Sequence, residues 1–203
     1  VALWAAEGLL TTAEREEFAR DKNAPRREMR MLTRALLREW LGELLQISAG
    51  EVPLIRTLSG RLELTSPGEW SFSVATRWDY GVVALRQTEL GQVGVDIEKN
   101  ESAELAELLK APVVTNKERA QIETLPPPTH AAAMLRLWVR KEAVAKAMGM
   151  GVEIFDRGLD LSPLSPEENL PGQTLALEGR RWLVRDITAP QGYVAAVAVA
   201  TRK

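Results

Sequence analysis

Residues 92–100 read QVGVDIEKN. Val93, Val95 and Ile97 alternate with Gly94, Asp96 and Glu98, which is the two-residue period of a β-strand with two distinct faces. Asp is depleted in strands, yet here two carboxylates share one face at the end of one. Like charges at that spacing repel unless a cation or a proton sits between them. On this stretch alone two readings stay open: solvated charges at a strand end, or a site for something positive.

A second stretch bears on the choice. Residues 137–151 read LWVRKEAVAKAMGMG, an apolar run with helical spacing. Trp138, Glu142 and Lys146 fall at i, i+4 and i+8, on one face, and Lys141 lies one residue's rotation away. An exposed Glu–Lys pair of this kind contributes only ~0.3–0.5 kcal/mol to a helix. Taken together, the two stretches say more. A strand-borne Asp-x-Glu, a helix-borne Glu and lysines on that helix are the parts of a magnesium–phosphate site. Mg²⁺ takes hard oxygen ligands and pairs a few carboxylates with substrate phosphates, and lysines beside it act as point donors to phosphate.

Bulk composition narrows the field. With 203 residues, 45% apolar and 27% charged, the chain can build one good-sized core or two small subdomains. A net charge of −2 gives no global field for nucleic acid or an anionic membrane, and aromatics at 5% leave no stacking platform for bases. There are no cysteines and one histidine. That removes disulfides, thiolate zinc sites and thiol nucleophiles, and disfavours a His-dependent triad. The absence of cysteine suits a reducing, cytoplasmic setting. No apolar run has the length of a membrane span, and VALWAAEGLLTTAERE at the start lacks the basic-then-apolar order of a secretory signal. Neither a GxxxxGK[ST] loop nor a GxGxxG turn is present, so other nucleotide-binding frameworks rank low.

Thr11 and Glu14 have capping-box spacing and open a short helix to about Arg20. Pro25 precedes a long helix over about 26–46, with an apolar stripe at Leu32, Leu36, Trp40 and Leu44, widened by Leu37, Leu41 and Leu45. Arg26, Arg30, Arg34 and Arg38 form a parallel basic stripe. A short strand is expected near 52–56, then strands over 70–75, 81–87 and 91–98. Residues 99–112 and 115–125 read as helices, the second capped by Thr115 and stopped by Pro126–Pro128. The helix from His130 closes at Gly149 or Gly151, and short strands fill the remainder, with turns at 163–171 and 190–192. A faint repeat runs through the chain. MLTRALLRE (31–39) resembles MLRLWVRKE (134–142), and Trp70 and Trp182 each precede an apolar strand by 11 residues. The expectation is an α+β fold of two pseudo-symmetric subdomains, 1–98 and 99–203. Each would be a small, mainly antiparallel sheet with a long helix, and the active site would lie in the cleft between them.

VGVDIE (93–98) followed by WVRKEAVAK (138–146) resembles the paired signature of the 4′-phosphopantetheinyl transferases. Length and order resemble the larger monomeric, surfactin-synthetase-activating type. PRREMRMLTRALL (25–37) is similar to that family's early basic helix. VVTNKERAQIETLPP (113–127) lies where the family has a short Glu-containing helix, and GMG (149–151) matches the Gly-x-Gly that closes the signature helix.

The resemblance implies transfer of the 4′-phosphopantetheine arm of coenzyme A to a serine hydroxyl of an acyl or peptidyl carrier protein, with release of adenosine 3′,5′-bisphosphate. It implies Mg²⁺ held by Asp96, Glu98 and Glu142, Glu142 or a water it orients as base, and Lys146 on the pyrophosphate. Lys141 matches a further signature lysine. Arg26, Arg27 and Arg30 would meet the 3′-phosphate of coenzyme A, and Arg61 stands where the family has Gly-Lys-Pro. The chain would act as a monomer without nucleic acid or membrane. One motif departs. Where the family has Phe-Asn-x-Ser-His-Ser, this chain has Phe72-Ser73-Val74-Ala75-Thr76-Arg77. Thr76 retains one donor and Arg77 a charge, but a lost charge-assisted bond is worth ~1.5–3 kcal/mol. A diverged homologue that binds coenzyme A or a carrier without transfer is therefore the alternative. Carrier proteins present acidic helices, for which Lys117, Arg119, Arg136 and Arg140 are candidate contacts.

Overall fold

A computed structural model describes residues 3–57, 60–65, 68–100, 114–151, 155, 159–161 and 172–201. Two compact units make up the chain: Val1–Glu69 with Val74–Val83, and Trp70–Ser73 with Ala84–Lys203.

The first unit begins with helices α1 (Leu3–Leu9), α2 (Thr12–Ala19) and α3 (Ala24–Leu45). No local pattern announced α1. α2 starts as its capping box requires: the Thr11 hydroxyl accepts from Glu14 N, and the Glu14 carboxylate accepts from Thr11 N. Asn23 caps α3 with Pro25 in its first turn, and Gln46 ends it in the left-handed region. Ala6, Leu10, Phe18, Met31 and Ala35 form the core between these helices. A small hairpin, β1 (Leu54–Arg56) and β2 (Leu62–Leu64), follows, then the paired strands β3 (Trp70–Arg77) and β4 (Tyr80–Gln87), of which Val74–Val83 count with this unit and the remaining residues with the second.

The buried face of α3 includes Leu37 and Leu41 of the expected apolar stripe and departs from that stripe beside them. Trp40 and Leu44, on the apolar stripe, are 39% and 41% exposed, whereas Arg34 and Arg38 are buried beside Leu37 and Leu41. The cause is a countercharge from α2. Buried Glu14 accepts from Arg34 Nη1 and, at 2.7 Å, from Arg38 Nε. Arg38 Nη1 also donates to the carbonyls of Ala49 and Val52 at 2.8 and 3.0 Å, tying down the chain that leaves α3. Burial pushes the Glu14 carboxyl up, but the Arg38 and Arg34 bonds outweigh it and hold it below the ordinary carboxylate value. Periodicity alone does not show where between two adjacent stripes the buried face falls; the partner decides that Arg34 and Arg38 join Leu37 and Leu41 inside while Trp40 and Leu44 stay outside.

The second unit holds an antiparallel sheet in the order β5-β8-β7-β6, with β5 (Val93–Lys99), β6 (Gln173–Leu177), β7 (Arg180–Ile187) and β8 (Tyr193–Thr201). Among the described residues it is accompanied by helices α4 (Asn116–Glu123) and α5 (His130–Met148). Thr115 caps α4 and Gly149, at φ 70°, closes α5. Leu137, Val139, Leu159, Leu161 and Trp182 are central to the core. β5 pairs with β8 so that Asp96 lies opposite Ala196 and Glu98 opposite Val194. On its other edge, the N–H groups of Val93 and Val95 donate to the hydroxyls of Ser71 and Ser73. The helix expected over 99–112 lies outside the described residues apart from its first two positions, where β5 runs through Lys99; the turn expected over 163–171 lies wholly outside them.

One close approach sets the geometry of this unit. A Cβ at Gly94 would lie 2.1 Å from Ala143 O and 2.3 Å from Ala147 N. Those are backbone atoms of α5, so only glycine lets the helix lie this near to β5.

Candidate functional site

Asp96 enters from β5, and its side chain is almost wholly buried. Lys146, in the last turn of α5, donates its Nζ to Asp96 Oδ1 at 2.6 Å. Glu142 stands one turn before Lys146 on the same helix face. Burial pushes its carboxyl up, the negative charges of Asp96 and Glu98 push it further, and Lys146 opposes them; the outcome is a carboxyl raised from 4.5 to about 7. Asp96, Glu98, Glu142 and Lys146 thus form one electrostatically coupled cluster in the second unit. Trp138, one turn further back, rests on Phe155 with ring centroids 5.7 Å apart.

Three carboxylates are hard oxygen donors of the kind that suit Mg²⁺, and the repulsion that raises Glu142 is what a divalent ion would relieve. In the arrangement described, the positive charge on Asp96 comes from Lys146. Among the described residues no group of three or more His, Cys, Asp or Glu is gathered closely enough to hold a metal ion. The donor set fits a metal in chemistry, and its gathering around one is not part of this geometry.

Lys141 does not join the cluster. Its side chain and that of Glu118 are both 0% exposed, and Lys141 Nζ donates to Glu118 Oε2 at 2.7 Å. Arg26, Arg27, Arg30 and Arg61 belong to the first unit, as do Thr76 and Arg77 on β3. Arg26 and Arg30 share the Asp21 carboxylate, Arg27 donates to the Asp21 carbonyl, and Arg30 also reaches Glu17. Arg61 lies 3.7 Å from Glu63. An incoming phosphate would compete with these acids for the guanidinium groups. Of the candidate carrier contacts, Lys117 is paired with Asp160, while Arg136 and Arg140 both hold Asp186. Ala75 is buried. His130 starts α5, its ring nitrogen against the Leu125 carbonyl.

Sequence reading passed over the roles of Gly94, Glu118 and the serine pair on β3. Glu118 had one visible signal, the Thr115–Glu118 capping box. Nothing local marked Gly94 as a contact for a helix 49 residues later.

Residues 92–198 match the model of the 4′-phosphopantetheinyl transferase superfamily. The chain belongs to that superfamily. The matched region contains Asp96, Glu98, Lys141, Glu142 and Lys146 and leaves out Arg26, Arg27, Arg30, Arg61, Thr76 and Arg77. Among individual superfamily proteins, the chain is 32% identical over 164 residues to one of Synechocystis sp., named provisionally as a 4′-phosphopantetheinyl transferase; this covers 76% of the chain. It is 33% identical over 109 residues, half of the chain, to the 4′-phosphopantetheinyl transferase AcpT of Salmonella typhi. The matches span 62% and 57% of those relatives' lengths.

Proposed function

We propose that this superfamily member transfers 4′-phosphopantetheine from coenzyme A to a serine of an acyl or peptidyl carrier protein. The observation that carries the proposal is the coupled cluster of Asp96, Glu98, Glu142 and Lys146, within the region that matches the superfamily. In the reaction, the serine Oγ attacks the phosphorus that bears the pantetheine arm. The bond from that phosphorus to the bridging oxygen breaks, and adenosine 3′,5′-bisphosphate leaves with that oxygen. The Oγ proton passes to a base.

Glu142, or a water it orients, would take the serine proton by position, within hydrogen-bond reach of the Oγ in the assembled complex; its carboxyl is raised to about 7 only without a metal, and a bound cation would lower it. Lys146 supplies a fixed positive charge to the pyrophosphate as negative charge shifts to the leaving oxygen. Asp96 orients that lysine through their ion pair. Asp96, Glu98 and Glu142 would hold Mg²⁺, which when bound neutralises phosphate oxygens and polarises the phosphorus. On this reading Arg26, Arg27, Arg30, Arg61, Thr76 and Arg77 meet the coenzyme A phosphates, and the enzyme is a cytoplasmic monomer of the larger type. Among the described residues no helix is long and apolar enough to cross a membrane.

Incubating the protein with coenzyme A, Mg²⁺ and a panel of apo carrier proteins tests this. The expected result is one added phosphopantetheine mass on at least one carrier, abolished by EDTA and by Asp96→Ala. Tight coenzyme A binding with no adduct on any carrier would instead support the diverged-homologue reading, which buried Ala75, standing where the family has a serine, makes a specific alternative.

A further inference from the structure

We propose that Lys141 and Glu118 form a positioning pair that fixes the rotation of α5 about its axis, and that Lys141 is not a contact for coenzyme A. The inference rests on the transferase reading only for its kinetic consequence.

Both side chains are sealed from solvent at 0% exposure, so Lys141 Nζ cannot reach a solute while α4 is in place. The Glu118 carboxylate gathers separate pieces of chain. Oε2 accepts from Lys141 Nζ of α5 and from Thr115 N at the start of α4, and Oε1 accepts from Leu161 N at 2.8 Å. A buried ion pair gives little net stability over a well-packed apolar pair, so a positional role is the better account of it.

Helical geometry shows what is positioned. With about 100° per residue, Glu142 and Lys146 lie about 100° and 140° round from Lys141. Ala143 and Ala147, whose backbone presses on Gly94, lie about 200° and 240° round. The reactive face is therefore bracketed: the Gly94 contact holds one side of α5 against β5, and the Glu118 contact holds the other side against α4. Rotation by even half a residue step would carry Lys146 off Asp96.

The test uses the neutral double variant Lys141→Met/Glu118→Gln, which keeps side-chain lengths and removes both charges, and Glu118→Asp, which keeps the charges and retracts the carboxylate. Each is measured for transfer kinetics and melting temperature. A second readout is independent of turnover. Because the chain has no cysteine, nitroxides placed through Glu98→Cys and Glu142→Cys report the distance from β5 to α5 by dipolar broadening. The expected result is kcat lowered at least tenfold with KM for coenzyme A within twofold, and loss of the broadening when the pair is neutralised. Unchanged kcat and unchanged broadening overturn the inference, and so does a raised KM for coenzyme A at unchanged kcat. If the double variant does not fold, Glu118→Asp decides by the same criteria. If the parent protein transfers nothing, the transferase reading fails and the nitroxide spectra alone judge the pair.

Discussion

The α2–α3 and α4–α5 regions solve the same local problem with the same components. In each, a Thr-x-x-Glu capping box opens an eight-residue helix, and its buried Glu reaches a buried cation on the long helix that follows: Glu14 to Arg34 and Arg38, Glu118 to Lys141. MLTRALLRE and MLRLWVRKE align Arg38 with Lys141 and Glu39 with Glu142. The two regions diverge a single turn later, where α3 has Glu43 and α5 has Lys146. In α3, Glu39 and Glu43 line an open groove with Glu51. In α5, Lys146 turns toward Asp96 of β5. The shared scaffold holds a helix in place. A single cation at i+4 and a strand able to come close make one of the two helices a candidate for phosphate chemistry.

The most severe way to break this contrast is to separate α5 from β5. Gly94→Ala drives a methyl into the backbone of Ala143 and Ala147, and loss of cooperative thermal unfolding of the second unit is expected. Its counterpart in the first unit is milder. A Cβ at Gly81 would meet the Thr33 hydroxyl oxygen at 1.9 Å; this is a side chain and not backbone, and moving it gives up the Thr33 hydroxyl's bond to the Met29 carbonyl, so Gly81→Ala should lower the melting temperature while leaving unfolding cooperative.

Removing the countercharge in the first unit ranks next. Glu14→Gln leaves Arg34 and Arg38 buried without their acid and should cost about 3–5 kcal/mol in urea unfolding. KM and kcat should stay unchanged under conditions where the protein remains folded. A large kinetic effect would show that the first scaffold does more than hold α3.

The aligned pair Glu142 and Glu39 sharpens the comparison. Glu142→Gln should slow transfer by about 10²–10⁴-fold, and Glu39→Gln should leave it unaltered, read by adduct formation over time. The same Glu142 variant has a stability signature in metal-free buffer. A carboxyl that titrates at about 7 when folded and near 4.5 when unfolded binds more protons in the folded state between those values. Wild-type stability should therefore fall as pH rises from about 4.5 to about 7 and level off above that range. Glu142→Gln should remove that decline, and a wild-type curve that rises through the same window would contradict the assignment.

The smallest effects concern the caps. Thr11→Ala and Thr115→Ala should each cost about 1 kcal/mol. Thr115→Ala should cost the more of the two, because its hydroxyl donates at 2.8 Å to Asp160, 45 residues away, whereas that of Thr11 donates at 3.1 Å to Glu14 of its own capping box. Chemical denaturation of the two variants side by side measures the difference.

Much of this was legible in the residues. Thr11–Glu14 and Thr115–Glu118 announced two helix starts, Gly149 a helix end, and the alternation around Asp96 a strand. Each depends on contacts within three or four positions, so the local chain specifies it. The pairing of VGVDIE with WVRKEAVAK also named the family, and with it a set of site residues to look for. What local pattern left open was partnership across the chain. α3 carries an apolar stripe and a basic stripe of equal period, and Glu14, 20 residues before Arg34, decided that Arg34 and Arg38 of the basic stripe are buried beside Leu37 and Leu41 of the apolar one. Lys141 and Lys146 lie about 140° apart on a helical wheel, and that spacing does not say what either one meets: the first is sealed against Glu118 and the second lies on Asp96, 50 residues away. Sequence alone determines periodicity and caps, because those are set by near neighbours. The tertiary structure decides which charge meets which, because a buried ion chooses its partner by what the folded path brings within reach.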